Sequence, residues 1–134
     1  MDVDTIQKRI APMFPGTMGV KMLEVSKERI RAELEVRDGL CTSGKTLHGG
    51  AYMAFADTLG ALGTVVNMPE GARTTTIESK TNFLGAAPMG TKVLGEATPI
   101  HRGRTTQVWT TRVTNEAGKL LAVVTQTQMI LPAG

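Results

Sequence analysis

The chain has 134 residues, 41% of them hydrophobic and 20% charged, with 15 Lys and Arg against 12 Asp and Glu and a formal net charge of +3. That length suits one domain, residues 1–134, with a core of its own, and is short for two. Basic residues are spread along the chain and aromatics are only 4%, which argues against a nucleic-acid partner.

One cysteine, Cys41, excludes an intrachain disulfide. With only His48 and His101 beside it, no metal-ligand spacing is present, and no metal is expected. Met1 to Thr5 carries neither a basic leader nor an apolar signal segment, so a cytoplasmic location is expected.

In chain order, Ile6, Ile10 and Met13 fall at helical spacing, and Pro12 and Pro15 end that short helix in a loop. Val20 to Val25 and Arg29 to Val36 read as a hairpin turning at Ser26-Lys27-Glu28. In its second strand Ile30, Ala32, Leu34 and Val36 take one face, and Arg31, Glu33 and Glu35 the other. Asp38-Gly39 opens a loop. Behind His48-Gly49-Gly50 a helix apolar on nearly every face runs from Ala51 to Val66. Asp57, Thr58 and Thr64 within it make it a core helix and not a membrane span, so no membrane partner is expected.

Four strands follow the breaker-rich Asn67 to Gly71 segment: 74–84, 92–101, 105–114 and 119–131. Pro88-Met89-Gly90, Arg102-Gly103 and Asn115-Glu116-Ala117-Gly118 are the turns between them. Tight turns make antiparallel neighbours, and a single apolar helix needs cover. The expected fold class is therefore α+β, a curved antiparallel sheet wrapped around one long central helix.

Chemistry concentrates at that helix. Asp57 is its one acidic residue, and an ionised group among apolar neighbours is costly unless it has partners or a task. Glycines at a helix start leave amide hydrogens open to an anion or a developing oxyanion.

The stretch Gly44-Lys45-Thr46-Leu47-His48-Gly49-Gly50 through Asp57 resembles the hotdog-fold thioesterases, in particular the PaaI-like and 4-hydroxybenzoyl-CoA thioesterase group. Thr81 to Gly90, His101 to Thr106 and Asn115 to Leu120 resemble later segments of the same family. The resemblance implies hydrolysis of acyl-CoA thioesters, aryl or short to medium chain, with no cofactor beyond the coenzyme A of the substrate. It assigns carbonyl polarisation to the Gly49 amide, close approach to Gly50, and loop fixing or carbonyl contact to His48. Asp57 is implied as general base or nucleophile. Thr42 stands where many relatives carry Asn or Gln, and Ala61 where some carry a hydroxyl; Thr76 is a candidate to supply that hydroxyl instead.

Tyr52, Phe55 and Phe83 are candidates to border the acyl group. Arg102, Gly103, Arg104 and Thr105 are candidates for the coenzyme A phosphates, with Lys80 and Arg112 as further cations. Two other readings stay open: a hotdog dehydratase or hydratase, although its H-F-P and D-x-x-x-x-H motifs are not found around His48, and a non-catalytic acyl-CoA-binding module.

Spacing bears on assembly. Eight positions separate Gly49 from Asp57, which at 1.5 Å per residue is about 12 Å along a helix. Contact with one reacting group requires a separation of only about 6 to 7 Å. If both act, the amide of one subunit meets the carboxylate of another across a two-fold axis, so a homodimer is essential; the family implies a dimer of dimers, a homotetramer.

Overall fold

Asp2 starts the first helix of the computed structural model, which describes residues 1–134. Its side chain accepts the Thr5 N–H at 2.8 Å, and α1 (Val3–Ile10) buries Ile6 and Ile10. The chain then does not stay in a loop, as its two prolines suggest. Phe14–Met18 forms a one-turn α2, because Pro15 sits in its first turn, where a missing N–H costs nothing, and Gly19 closes it at φ 90°.

β1 (Lys21–Val25) and β2 (Ile30–Glu35) form the expected hairpin, and α3 covers Gly49–Asn67. After it come β3 (Arg73–Phe83), β4 (Lys92–Arg102), β5 (Thr106–Asn115) and β6 (Leu120–Leu131). All pair antiparallel in one six-stranded sheet of order β1-β2-β4-β5-β6-β3.

One expected turn is not a hairpin. Pro88-Met89-Gly90 belongs to a crossover, because β3 pairs along its whole length with β6 while β4 lies between β2 and β5. The crossover has its own role. Ala87 accepts the Leu47 N–H at 2.8 Å and Met89 donates to Lys45 at 2.9 Å, tying down the loop that leads into α3.

α3 lies close to the sheet because glycines remove bulk on both sides. An added Cβ at Gly95 would stand 2.6 Å from Leu59, at Gly63 2.7 Å from Trp109, and at Gly60 2.3 Å from the Gln126 amide. The sheet covers only part of the helix. Tyr52, Phe55, Ala56, Leu59 and Leu62 are buried against it, whereas Met53 is exposed and Ala54, Asp57, Thr58 and Ala61 are half-buried. A helix apolar on nearly every face therefore has one outward face of small residues around a single carboxylate. No helix is long and apolar enough to cross a membrane.

Candidate functional site

Thr42 to Thr46 forms a tight excursion in which Thr42 donates to Thr46 and Lys45, at φ 59°, donates to Thr42, both at 2.9 Å. The Cys41–Leu47 bridge closes it, and His48 N–H returns to the Leu40 carbonyl at 2.9 Å. The Thr42 side chain is exposed at the tip and does not point a hydrogen bond at any other part of the chain.

His48 is the N-cap of α3. Its Nδ1 accepts the Gly50 N–H at 2.8 Å, which places the imidazole proton on Nε2. Ala51 and Tyr52 both donate to the His48 carbonyl. Of the first-turn amides this leaves Gly49 without a partner within the chain, so the two glycines divide their work: Gly50 is capped and Gly49 is free.

Phe83 borders that amide, its Cε1 lying 3.3 Å from where a Gly49 Cβ would stand. The Phe83 ring meets Tyr52 edge-on at 6.1 Å and 70°. Tyr52 donates its hydroxyl to the Gly85 carbonyl at 3.2 Å, and burial holds the phenol above its ordinary pKa, so it remains a neutral donor. On the other side of the helix start is a cavity of about 380 Å³, walled by Phe14, Met18, Leu40, Cys41, Ala51 and Ala54 and reaching His48 and Gly50.

Two turns further along, Asp57 is held at one oxygen. Its Oδ1 accepts the Thr76 hydroxyl at 2.7 Å and the Gln126 Nε2 at 3.3 Å, while Oδ2 has no partner within the chain. Thr76 reaches Asp57 because the alternation of β3 turns Thr74 and Thr76 to the helix side, just ahead of the register shift against β6 between Thr76 and Glu78.

Gln126 and Gln128 of β6 are two participants that sequence reasoning missed. Both are fully buried, joined Nε2 to Oε1 at 3.0 Å, and Gln128 Nε2 donates on to Thr74 at 3.0 Å. The signal was present in the strand's alternation. Val124, Gln126, Gln128 and Ile130 share the inward face, and amides there break an apolar run.

The basic candidates lie elsewhere. Arg102 Nη1 is 3.1 Å from the Lys27 carbonyl, 3.5 Å from Asn67 Oδ1 and 3.8 Å from Glu28, at the C-terminal end of α3. Asn67 is eighteen positions from Gly49, about 27 Å along the helix. The Gly103 N–H donates to Thr106 at 2.9 Å, so this turn amide is not open to a phosphate. Arg104 and Thr105 edge a recess with Glu70 and Ile130. Lys80 is tied to Asn82 at 2.9 Å, and Arg112 stands opposite Glu96 on the outer face of the sheet. Within one chain, none of these is brought to Gly49 or Asp57.

A curved antiparallel sheet packed on one long central helix is the hotdog fold of the thioesterases. A thioesterase superfamily model matches residues 44–122, more than half of the sequence, and the chain belongs to that superfamily. A thioesterase from Haemophilus influenzae superposes with a TM-score of 0.94 at 26% identity, over 99% of this chain and 92% of that one. A 1,4-dihydroxy-2-naphthoyl-CoA hydrolase of Listeria monocytogenes is 29% identical over 107 residues, 80% of this chain and 86% of that protein. A Streptococcus mutans protein solved bound to acetyl CoA superposes at 0.79 with 25% identity, over 85% of this chain and 90% of that one.

Proposed function

We propose that this chain hydrolyses acyl-CoA thioesters at a site shared between two subunits, with Asp57 as general base and the Gly49 amide as oxyanion donor. One observation carries the reading: the only free first-turn amide and the only carboxylate of α3 are both presented outward, yet are too far apart in one chain to meet at one carbonyl.

In this mechanism a water gives its proton to Oδ2 of Asp57 as its oxygen attacks the thioester carbon. The oxyanion that forms accepts the Gly49 N–H at the positive end of α3. Collapse breaks the carbon–sulfur bond, and the departing thiolate takes the proton back from Asp57, leaving a free acid and coenzyme A. A nucleophilic Asp57 would instead pass through an anhydride, and water opening that anhydride at the Asp57 carbonyl would carry solvent oxygen into the carboxylate during a single turnover in labelled water; base catalysis labels only the product.

Two features support a second copy of the chain as the missing half. The outward face of α3 around Asp57 is lined by small residues, and β3 is a sheet edge with unpaired backbone groups and a 54% exposed Ile77. A dimer of dimers, in the cytoplasm, is the assembly proposed. Arg104 and Thr105, with Arg102, are proposed for the phosphate end of coenzyme A, and the cavity beside Ala51 and Ala54 for the acyl group. The test is Asp57→Asn, which retains acyl-CoA binding and loses turnover by orders of magnitude; unchanged turnover rules the base out.

A further inference from the structure

We infer that Gln126 and Gln128 are positioning residues for Asp57, acting in opposite senses: Gln126 holds the carboxylate in its ionised form, and Gln128 receives the Thr76 hydroxyl once Asp57 has taken up a proton. The inference rests on Asp57 being the base. It rests equally on a geometry that packing alone does not require.

Thr76 has one hydroxyl proton and two acceptors. Its Oγ1 is 2.7 Å from Asp57 Oδ1 and 2.5 Å from Gln128 Oε1, so it serves one of them at a time. An ionised carboxylate is the stronger acceptor and draws the proton while Asp57 is charged. When the attacking water gives its proton to Oδ2, Oδ1 becomes an ordinary carbonyl oxygen and the amide oxygen of Gln128 is the better acceptor. A short rotation of the Thr76 hydroxyl then satisfies the protonated state without moving any heavy atom. It reverses when the thiolate removes the proton.

The orientation of Gln126 is fixed by Asp57 and Gln128 together. Turning its amide over would set an oxygen against three others: Asp57 Oδ1, the Asp57 carbonyl and Gln128 Oε1. In the orientation it holds, three acceptors share its Nε2 while its own Oε1 is buried without a partner. Gly60 makes room for it, since any side chain there would collide with the amide. No charged group competes for this role. β3 and β6 face Asp57 with Thr76, Gln126 and Gln128, β5 brings Gln107 and Trp109 to the same side, β2 and β4 bring Ala32 and Gly95, and Asp57 has no ion pair within 4.0 Å.

The experiment is the pH dependence of kcat for Gln126→Met and Gln128→Met, measured by thiol release from the best acyl-CoA of a short-chain, medium-chain and aryl panel. Losing the Gln126 donor disfavours the ionised carboxylate and moves the acid limb to higher pH, by about 0.5 to 1 unit. Losing the Gln128 acceptor leaves Thr76 and Gln126 to Asp57 alone and moves the limb to lower pH by a similar amount. Circular dichroism verifies folding. If either Met variant fails to fold, Gln126→Asn and Gln128→Asn withdraw the same atoms by one methylene and carry the same signs. Limbs that stay in place, or move in the same direction, overturn the inference while an inactive Asp57→Asn leaves the base intact. An Asp57→Asn protein that turns over normally removes the base and this inference together.

Discussion

Thr76 and Asp57 meet at 2.7 Å, the one side-chain hydrogen bond between the edge strand β3 and the central helix α3. It ties a proposed catalytic carboxylate to one of the two edge strands of the sheet, so the state of that edge reaches the site directly.

Replacing Thr76 with Val keeps the shape and removes the donor. The expected result is a kcat lower by about 10- to 100-fold with KM changed much less, since the hydroxyl acts on the base and not on bound substrate. Thr76→Ser recovers at least tenfold over Val. Steady-state kinetics on the two variants decide it, and a KM effect without a kcat effect contradicts the role.

Gly49→Pro removes the proposed oxyanion donor at a position whose backbone suits proline; its Cβ, like that of alanine, would stand 3.3 Å from Phe83 Cε1, so it is compared with Gly49→Ala, which crowds the ring but keeps the N–H. His48 already has φ −63° and ψ 140°, the extended conformation a residue before proline prefers, and Gly49 is the first residue of the helix. The fold persists while kcat falls by about 10²- to 10³-fold. The loss in Gly49→Ala is smaller and is relieved by adding Phe83→Ala.

Gly60→Ala sets helix propensity against packing. Alanine gains up to about 1 kcal/mol in the helix, but its Cβ would stand 2.3 Å from a buried amide, and overpacking costs about 1 to 3 kcal/mol. Net destabilisation is expected, read as a lower Tm. It is accompanied by lower activity, because Gln126 cannot move without releasing Asp57.

Tyr52 predicts an alkaline limb in stability. Burial raises its pKa above 10.0, so the folded chain holds the proton more tightly than the unfolded one. The resulting stability is complete below about pH 10 and is lost as pH rises from there through the higher folded value. Chemical denaturation of Tyr52→Phe as a function of pH should lack that limb and, at neutral pH, show a loss of about 1 kcal/mol for the hydrogen bond to Gly85.

Much of this was legible in the residues. Alternation in Ile30 to Val36, the long apolar run behind His48-Gly49-Gly50 and the spaced turns carry the α+β sheet on a helix, because each is a local pattern. What escaped is non-local. Nothing near Thr74 to Phe83 says that this strand pairs with the last one and not the next. The hydropathy of α3 cannot separate a face buried by the sheet from one left open, since Ala54, Ala61 and Leu59 read alike. The capping of Gly50 by His48 and the reach of Gln126 and Gln128 to Asp57 depend on distances that only the folded chain sets.

The sharing of the site between subunits is tested most directly by mixing two inactive proteins. Gly49→Pro keeps Asp57, and Asp57→Asn keeps the Gly49 amide; unfolded together and refolded, half of the dimers are mixed and each holds one intact site. Activity should return to roughly a quarter of the parent's. A mixture that stays at the residual rates of its two components would contradict a site built by two subunits.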